Sequence, residues 1–244
     1  MPNNVSVIIL THNSQDTLAE TLENLAWADE IIIVDQSSTD DTLAIAKKFQ
    51  SRVVTENSPD FSVRRNIGAD KATNPWLLYI DADEIVPPKL KQEIIKITQD
   101  HQSGAYTMTR TNYFLGTKMY PDTVTRLFHK NTLVRWEGAV HESPTVTGEL
   151  THTANPLVHH THRSISTMLA KTNAWSAMQA QLLLAAKHPP VKVWRIFRIA
   201  ATEIIQQFFV KKVGRYGKAG WIEGMFQVID KIIVYIKLWE LQQS

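Results

Sequence analysis

The chain has 244 residues, of which 43% are hydrophobic and 20% charged, and it contains no cysteine. This composition excludes a disulfide scaffold, a thiolate metal centre and a low-complexity chain, and the length suffices for one large domain with an appendage. The formal net charge of +2 conceals an asymmetry: between Lys187 and Glu240 stand ten Lys or Arg against four Asp or Glu, so the remainder is net acidic.

The opening stretch MPNNVSVIIL has no basic leader and predicts no secretory signal. No apolar run reaches the roughly 18 residues of a spanning helix, and the lack of cysteine fits a reducing compartment. The first hundred residues then alternate between strand and helix. Val5–Leu10 (VSVIIL) reads as a buried strand, followed by THNS and a helix from about Gln15 to Ala26. Glu30–Asp35 (EIIIVD) is a second strand, and a helix from Thr42 to Gln50 follows SSTDDT, with Asp40 or Asp41 placed to cap it. RVVT is a short third strand, after which come a helix over Phe61–Lys71 and the strand WLLYI. Continuous apolar strands separated by helices imply a parallel sheet covered on both faces. Ligands of such sheets bind at the carboxyl ends of the strands, and here those ends carry THN, DQSSTDD and DADE.

From Ser103 to His160 short β-like pieces (GAYTMTR, VTRLFHK, TLVRW, PLVHHTH) predict an added mixed-sheet section. The expected boundary places a catalytic domain at residues 1–162 and a helical extension at 163–244. In that extension Ser164 is a cap for a long helix, and Pro189 and Pro190 break it.

Asp81 and Asp83 are the first candidates for chemistry. On an extended chain alternate side chains share a face, so the two carboxylates can approach one ion with Ala82 turned aside. Hard oxygen ligands suit Mg²⁺ or Mn²⁺. The competing use of these acids is a helix start, since Pro87 and Pro88 open PPKLKQEIIKIT. Glu84 points the other way and reads as a helix-start or supporting residue.

The motifs match a known family. SVIILTHNSQDTLAETLENLAWADEIIIVDQSSTDDT and RRNIGADKATNPWLLYIDADE resemble the family 2 glycosyltransferases, with their V-D-x-x-S-x-D-x-T segment, R-N-x-G helix and Asp-x-Asp strand in order. The similarity spans Val5 to about Val86. More weakly, RLFHK, WEGAVHE, HHTH and the tail from Phe208 resemble bacterial lipopolysaccharide core glucosyltransferases of that family. The resemblance implies an α/β GT-A (Rossmann-like) nucleotide-sugar-binding fold with a mainly parallel sheet. It implies that Thr11 and Asn13 line the nucleobase pocket, that Asp35 contacts uracil or ribose, and that Arg65 lies near the pyrophosphate. Asp81 is implied at the ribose and metal, and Asp83 as the main metal ligand. His12–Asn13–Ser14 departs from the Tyr/Lys-Asn-Glu common in relatives.

The implied reaction is metal-dependent, inverting hexosyl transfer from a nucleotide sugar of the UDP-glucose kind to a cell-envelope glycan or glycolipid such as lipopolysaccharide core. Transfer to a hydroxyl needs a general base. Relatives place an acid downstream, which makes Glu142 the candidate and His141 the alternative. A downstream histidine completes the metal shell in several such enzymes, which points to His160 within VHHTH; alternation puts His160 and His162 on one strand face and His159 on the other.

In the tail, Trp194, Phe197, Ala201, Ile204 and Phe208 form a stripe at helical spacing, with Lys192, Arg195 and Arg198 beside it. Lys211, Lys212, Arg215 and Lys218 follow, then an apolar helix over Trp221–Leu241. This pattern predicts an element in the interface of an anionic membrane, on its cytoplasmic face. The same stripes also suit packing on the body or a contact between copies of the chain. No nucleic-acid-binding motif accompanies the basic residues. Two other functions fit parts of the pattern. A nucleotidyltransferase would want a Gly-rich basic loop where THNSQD stands, and a non-catalytic, membrane-bound nucleotide-sugar-binding protein would differ only in activity.

Overall fold

The computed structural model describes residues 3–138 and 142–243. Its first half alternates β1 (Val5–Thr11), α1 (Gln15–Asn24), β2 (Glu30–Asp35), α2 (Thr42–Lys48), β3 (Arg52–Thr55), α3 (Phe61–Lys71) and β4 (Trp76–Asp81). β1 pairs in parallel with both β2 and β4, and β2 with β3. The register sets Thr11 opposite Asp35 and Leu10 opposite Asp81, so the polar residues that end these strands meet at one edge. Burial on both faces explains the unbroken apolar sequence of β1, β2 and β4. Val7, Ile9, Leu78 and Ile80 join one core cluster, while Ile8, Ile32, Leu77 and Tyr79 join another. Each such side chain contributes about 1.5–3 kcal/mol when fully buried.

The sheet then extends with strands from the mixed section. The elements are β5 (Glu84–Ile85), α4 (Pro88–Asp100), β6 (Ala105–Phe114), β7 (Thr117–Lys118), β8 (Asp122–His129), β9 (Leu133–Glu137), β10 (Ser143–Val146), β11 (Leu150–His152) and β12 (Leu157–His162). The order across the sheet is β3-β2-β1-β4-β8-β6-β12-β5, with β7 and β11 on β6, and β9 pairs with β10 apart from it. β8 runs antiparallel to β4, which ends the parallel half.

Local chemistry fixes α3 closely. Asp60 Oδ1 accepts from the Ser62 and Val63 N–H groups at 2.8 and 3.4 Å, a cap of a kind that stabilises by about 1 kcal/mol. Gly68 lets the helix lie against β1, because a Cβ there would run into Ile8 Cγ2. At α2 the cap position is Asp41, whose side chain makes no capping bond; Asp40 accepts from Thr42 N at 3.0 Å instead.

The chain divides into two compact units, residues 1–111 with 121–159, and residues 112–120 with 160–244. The second contains α5 (Ile165–Ala185), α6 (Val193–Ile204), a π-helical turn (Ile205–Val210), a 3₁₀ turn (Val213–Tyr216) and α7 (Gly217–Leu241). Ser164 caps α5 by accepting from Thr167 N at 3.1 Å. Phe114, Met119 and Met168 form the core of this unit, with Tyr216 and Phe226 against them. Among the described residues no helix is long and apolar enough to cross a membrane.

The π turn alters the expected apolar stripe. A widened i→i+5 turn shifts the phase of every helical position beyond it. Phe208 therefore turns inward onto Trp221, with ring centroids 4.6 Å apart, and Phe209 and Val210 face solvent in its place.

Candidate functional site

Two loops at the strand ends are tied to each other. Thr11 Oγ1 donates to Asp35 Oδ1 at 2.7 Å, and the same carboxylate accepts from Ser38 N and Oγ at 2.8 and 2.6 Å. Asn13, at φ +49°, donates its N–H to Ser38 Oγ at 2.8 Å and accepts from Thr39 N through Oδ1 at 2.8 Å. Asparagine tolerates this left-handed backbone better than most residues. Thr11 and Asp35 are buried, so their first task is to hold the two loops together.

A charged cluster lies at the end of β4. Arg65, on α3, donates from Nε to Glu142 Oε1 at 2.7 Å and from Nη2 to Asp81 Oδ1 at 3.3 Å. Its guanidinium stacks over Trp136 at 4.8 Å and Tyr79 at 5.6 Å. Asn66 fixes Trp136 by bonding both its N–H and its C=O, at 2.8 and 3.0 Å. Arg126, from β8, reaches Asp81 Oδ2 and also Glu84 Oε1 at 2.7 Å. Arg110, from β6, pairs with both oxygens of Asp122 at 3.0 and 2.6 Å and reaches Glu84 Oε1 at 3.0 Å.

The charges of this cluster set one another's protonation. Burial opposes the charged form of Asp81, but Arg126, Arg65 and Arg110 outweigh it and hold the carboxyl well below the ordinary range. Burial likewise opposes the charged Arg126 and Arg110, and their carboxylate partners keep both firmly protonated. The Tyr79 hydroxyl is pushed up by burial.

These contacts correct one expectation and decide another. Residues 82 and 83 form a turn between β4 and β5. The alternation that gave Asp81 and Asp83 a shared face therefore does not apply. Of the two readings of Glu84, the helix start gives way and the supporting residue stands. It is 0% exposed, accepts from the Asp81 N–H at 2.9 Å, and shares both Arg110 and Arg126 with Asp81.

Asp83 meets a different partner, with His159 Nε2 3.4 Å from its Oδ1. His160 belongs to the second unit, where its ring lies 5.5 Å from that of Tyr113. His141 lies outside the described residues. Among the described residues no group of three His, Cys, Asp or Glu side chains is placed to hold a metal ion. Asp83 and His159 are donors of the right chemistry for one side of a divalent cation, whose remaining positions would fall to phosphate oxygens and water. Asp81 already has arginine on both oxygens.

Sequence reasoning thus picks out Arg65, Asp81 and Glu142, which come together, and Thr11, Asn13 and Asp35, which frame the neighbouring loops. It misses Arg110, Arg126, Trp136 and His159. A charge inside a strand pattern, as in YTMTR and VTRLF, is the signal that marks the two arginines.

Residues 6–166 match Glycosyl transferase family 2. The chain belongs to that family. An uncharacterized glycosyltransferase of Rickettsia felis is 24% identical over 258 residues, covering 97% of this chain and 89% of the relative. The lipopolysaccharide core biosynthesis glycosyltransferase LpsC of Rhizobium meliloti is 22% identical over 250 residues, covering 97% and 92%. The crystal structure of S. aureus TarS 1–349 in complex with UDP superposes with a TM-score of 0.50 at 14% identity, covering 100% of this chain and 91% of that one. The family 2 glycosyltransferase therefore has a GT-A-like α/β fold with C-terminal helices.

Proposed function

We propose that this family 2 glycosyltransferase binds a nucleotide-sugar donor of the UDP-hexose class at the carboxyl edge of β1, β2 and β4, and transfers the hexose with inversion to a cell-envelope glycan or glycolipid. The observation that carries the reading is Arg65. It bridges Asp81 and Glu142 under Trp136, and its Nη1 is buried without a hydrogen-bond partner among the described residues. A guanidinium held this rigidly with a donor unspent suits an anion that arrives with the substrate. The relatives lend direction: TarS was crystallised with UDP and with UDP-GlcNAc, and LpsC is named for lipopolysaccharide core biosynthesis.

In this reading the loops pinned by Asp35 and Asn13 frame the base and ribose, and Arg65 orients the diphosphate. Mg²⁺ or Mn²⁺ would be held by Asp83 and His159, and when bound it supplies positive charge against the leaving diphosphate. Glu142 takes the proton of the acceptor hydroxyl; its Oε1 is bonded to Arg65, and its other oxygen makes no hydrogen bond among the described residues. The exposed Trp194, Phe197, Phe209 and Val210, interspersed with Lys192, Arg195, Arg198 and Lys211, form a peripheral contact with an anionic membrane.

Calorimetry of UDP binding with and without Mn²⁺ tests the donor half. Asp83→Ala should remove the gain in affinity that Mn²⁺ brings; an undiminished gain would sink the metal assignment. Glu142→Gln tests the chemistry. Incorporation of labelled hexose into envelope glycolipid should fall by roughly 10²–10⁴ while UDP still binds, and full turnover would eliminate Glu142 as the base.

A further inference from the structure

Arg64 precedes Arg65 on the first turn of α3 and takes no part in the cluster around Asp81. It is 2% exposed. Its guanidinium stacks on Phe61 at 4.2 Å, yet Nε and Nη2 are sealed from solvent and hydrogen-bond nothing among the described residues. Burial, and then the charge of Arg65, lower its pKa. Buried guanidiniums in folded proteins are almost always hydrogen-bonded, because a desolvated donor without a partner opposes folding.

The carboxylates within electrostatic range of Arg64 are Glu142, Asp60 and Glu56, and each is engaged elsewhere. Glu142 Oε1 accepts from Arg65 Nε at 2.7 Å. Asp60 Oδ1 caps α3 through Ser62 N at 2.8 Å, and Glu56 Oε1 accepts from Ser58 N at 2.8 Å. Arg65, the following residue, also has its Nη1 buried and unpartnered among the described residues. The two arginines are consecutive on α3, and between them three buried nitrogens have no hydrogen-bond partner among the described residues. A group that satisfied these donors would be anionic and rich in oxygen. Planar guanidinium forks match phosphate oxygens two at a time.

We propose that Arg64 and Arg65 together seat a phosphate oxyanion, Arg64 through Nε and Nη2 and Arg65 through Nη1. Resting on the donor reading, one source is the diphosphate of the nucleotide sugar; the other is a phosphate carried by the acceptor glycan. Phe61 holds the Arg64 plane in place, and Glu142 keeps Arg65 oriented until the anion arrives.

The test uses the full chain, with UDP, uridine and inorganic phosphate as calorimetric probes. If the seat serves the donor, Arg64→Gln should weaken UDP at least about tenfold and leave uridine unchanged, as expected for loss of hydrogen bonds to a charged group. If it serves the acceptor, the same variant should leave UDP unchanged and abolish phosphate binding to the UDP-saturated protein. Arg64→Lys retains the charge without the fork and should recover only part of either loss. Should both variants fail to fold, the wild-type chain still decides: the Arg64 Nε–H resonance should move when phosphate is added. Unaltered binding of both probes in the folded variants, or a resonance that phosphate does not move, would overturn the seat. If wild-type protein binds UDP and Arg64→Gln matches it for both probes, the seat falls and the donor reading stands. If phosphate binds through Arg64 and UDP does not bind, the reverse holds.

Discussion

The two units depart from ordinary folding economy in opposite ways. The first buries charge: Arg126 and Glu84 are almost wholly enclosed, and Arg65, Arg110 and Asp81 join them at the end of β4. The second exposes apolar surface: Phe197 is 71% and Phe209 69% exposed, and α6 has no buried residue. Buried ions require well-placed partners, because each desolvated charge left alone is strongly unfavourable. Exposed aromatics require no partner for folding, so their removal should cost the fold little. The difference separates side chains enclosed by the folded state from side chains left on its surface.

The largest expected effect comes from breaking the buried set. Arg126→Met leaves Arg110 as the one cation that Asp81 and Glu84 still share, and should lower unfolding free energy by about 3–5 kcal/mol. Urea denaturation measures this, and Glu84→Gln in the same chain should restore part of it. A loss no larger than that of a surface substitution would mean that the cluster does not support the fold.

How much of this was legible in the sequence differs between the units for physical reasons. β1, β2 and β4 lie where unbroken apolar runs put them, because a strand buried on both faces has few polar positions to confuse the reading. Arg65, Asp81 and Glu142 were found through motif and resemblance. Arg110 and Arg126 were not, since they reach Glu84 only once β6 and β8 are laid antiparallel, a pairing that local pattern does not specify. The shared face of Asp81 and Asp83 failed because the periodicity argument assumes an extended chain, and the chain turns at residues 82 and 83. Phe208 failed for a parallel reason: helical spacing assumes constant phase, and the π turn changes it.

The second expected effect sharpens the contrast from the other side. Phe197→Ser with Phe209→Ser should weaken sedimentation with anionic vesicles, by about 1.5–3 kcal/mol for each side chain that the membrane buries. Unfolding free energy should change by no more than about 0.5 kcal/mol per substitution. High salt should reduce the wild-type binding as well, since Lys192, Arg195, Arg198 and Lys211 contribute through screened charge. If the double variant loses stability and keeps its vesicle binding, the exposed aromatics are structural and the membrane contact lies elsewhere.

The smallest effect is one of pH, and its sign should differ between the units. The folded pKa of Asp81 lies below its unfolded value, so its stabilisation is complete above the ordinary carboxylate range near about 4. That stabilisation is lost as pH falls through the folded value, which burial raises and the three arginines lower further. Asp230, on α7, behaves oppositely. Burial raises its pKa and Glu203 adds to the rise, while Lys231 and Lys237 oppose it. Its contribution is therefore complete below the ordinary carboxylate value and is lost as pH rises through the higher folded one. Hydrogen exchange, followed segment by segment and corrected for intrinsic rates, reads both slopes in one sample. Between the unfolded and folded values of Asp230, protection of α7 should decline with rising pH while β4 and β8 hold theirs. Asp230→Asn should flatten the α7 response and leave β4 unaffected. A common slope in both regions would show that the two units titrate as one, and that buried charge in the first does not act independently of the second.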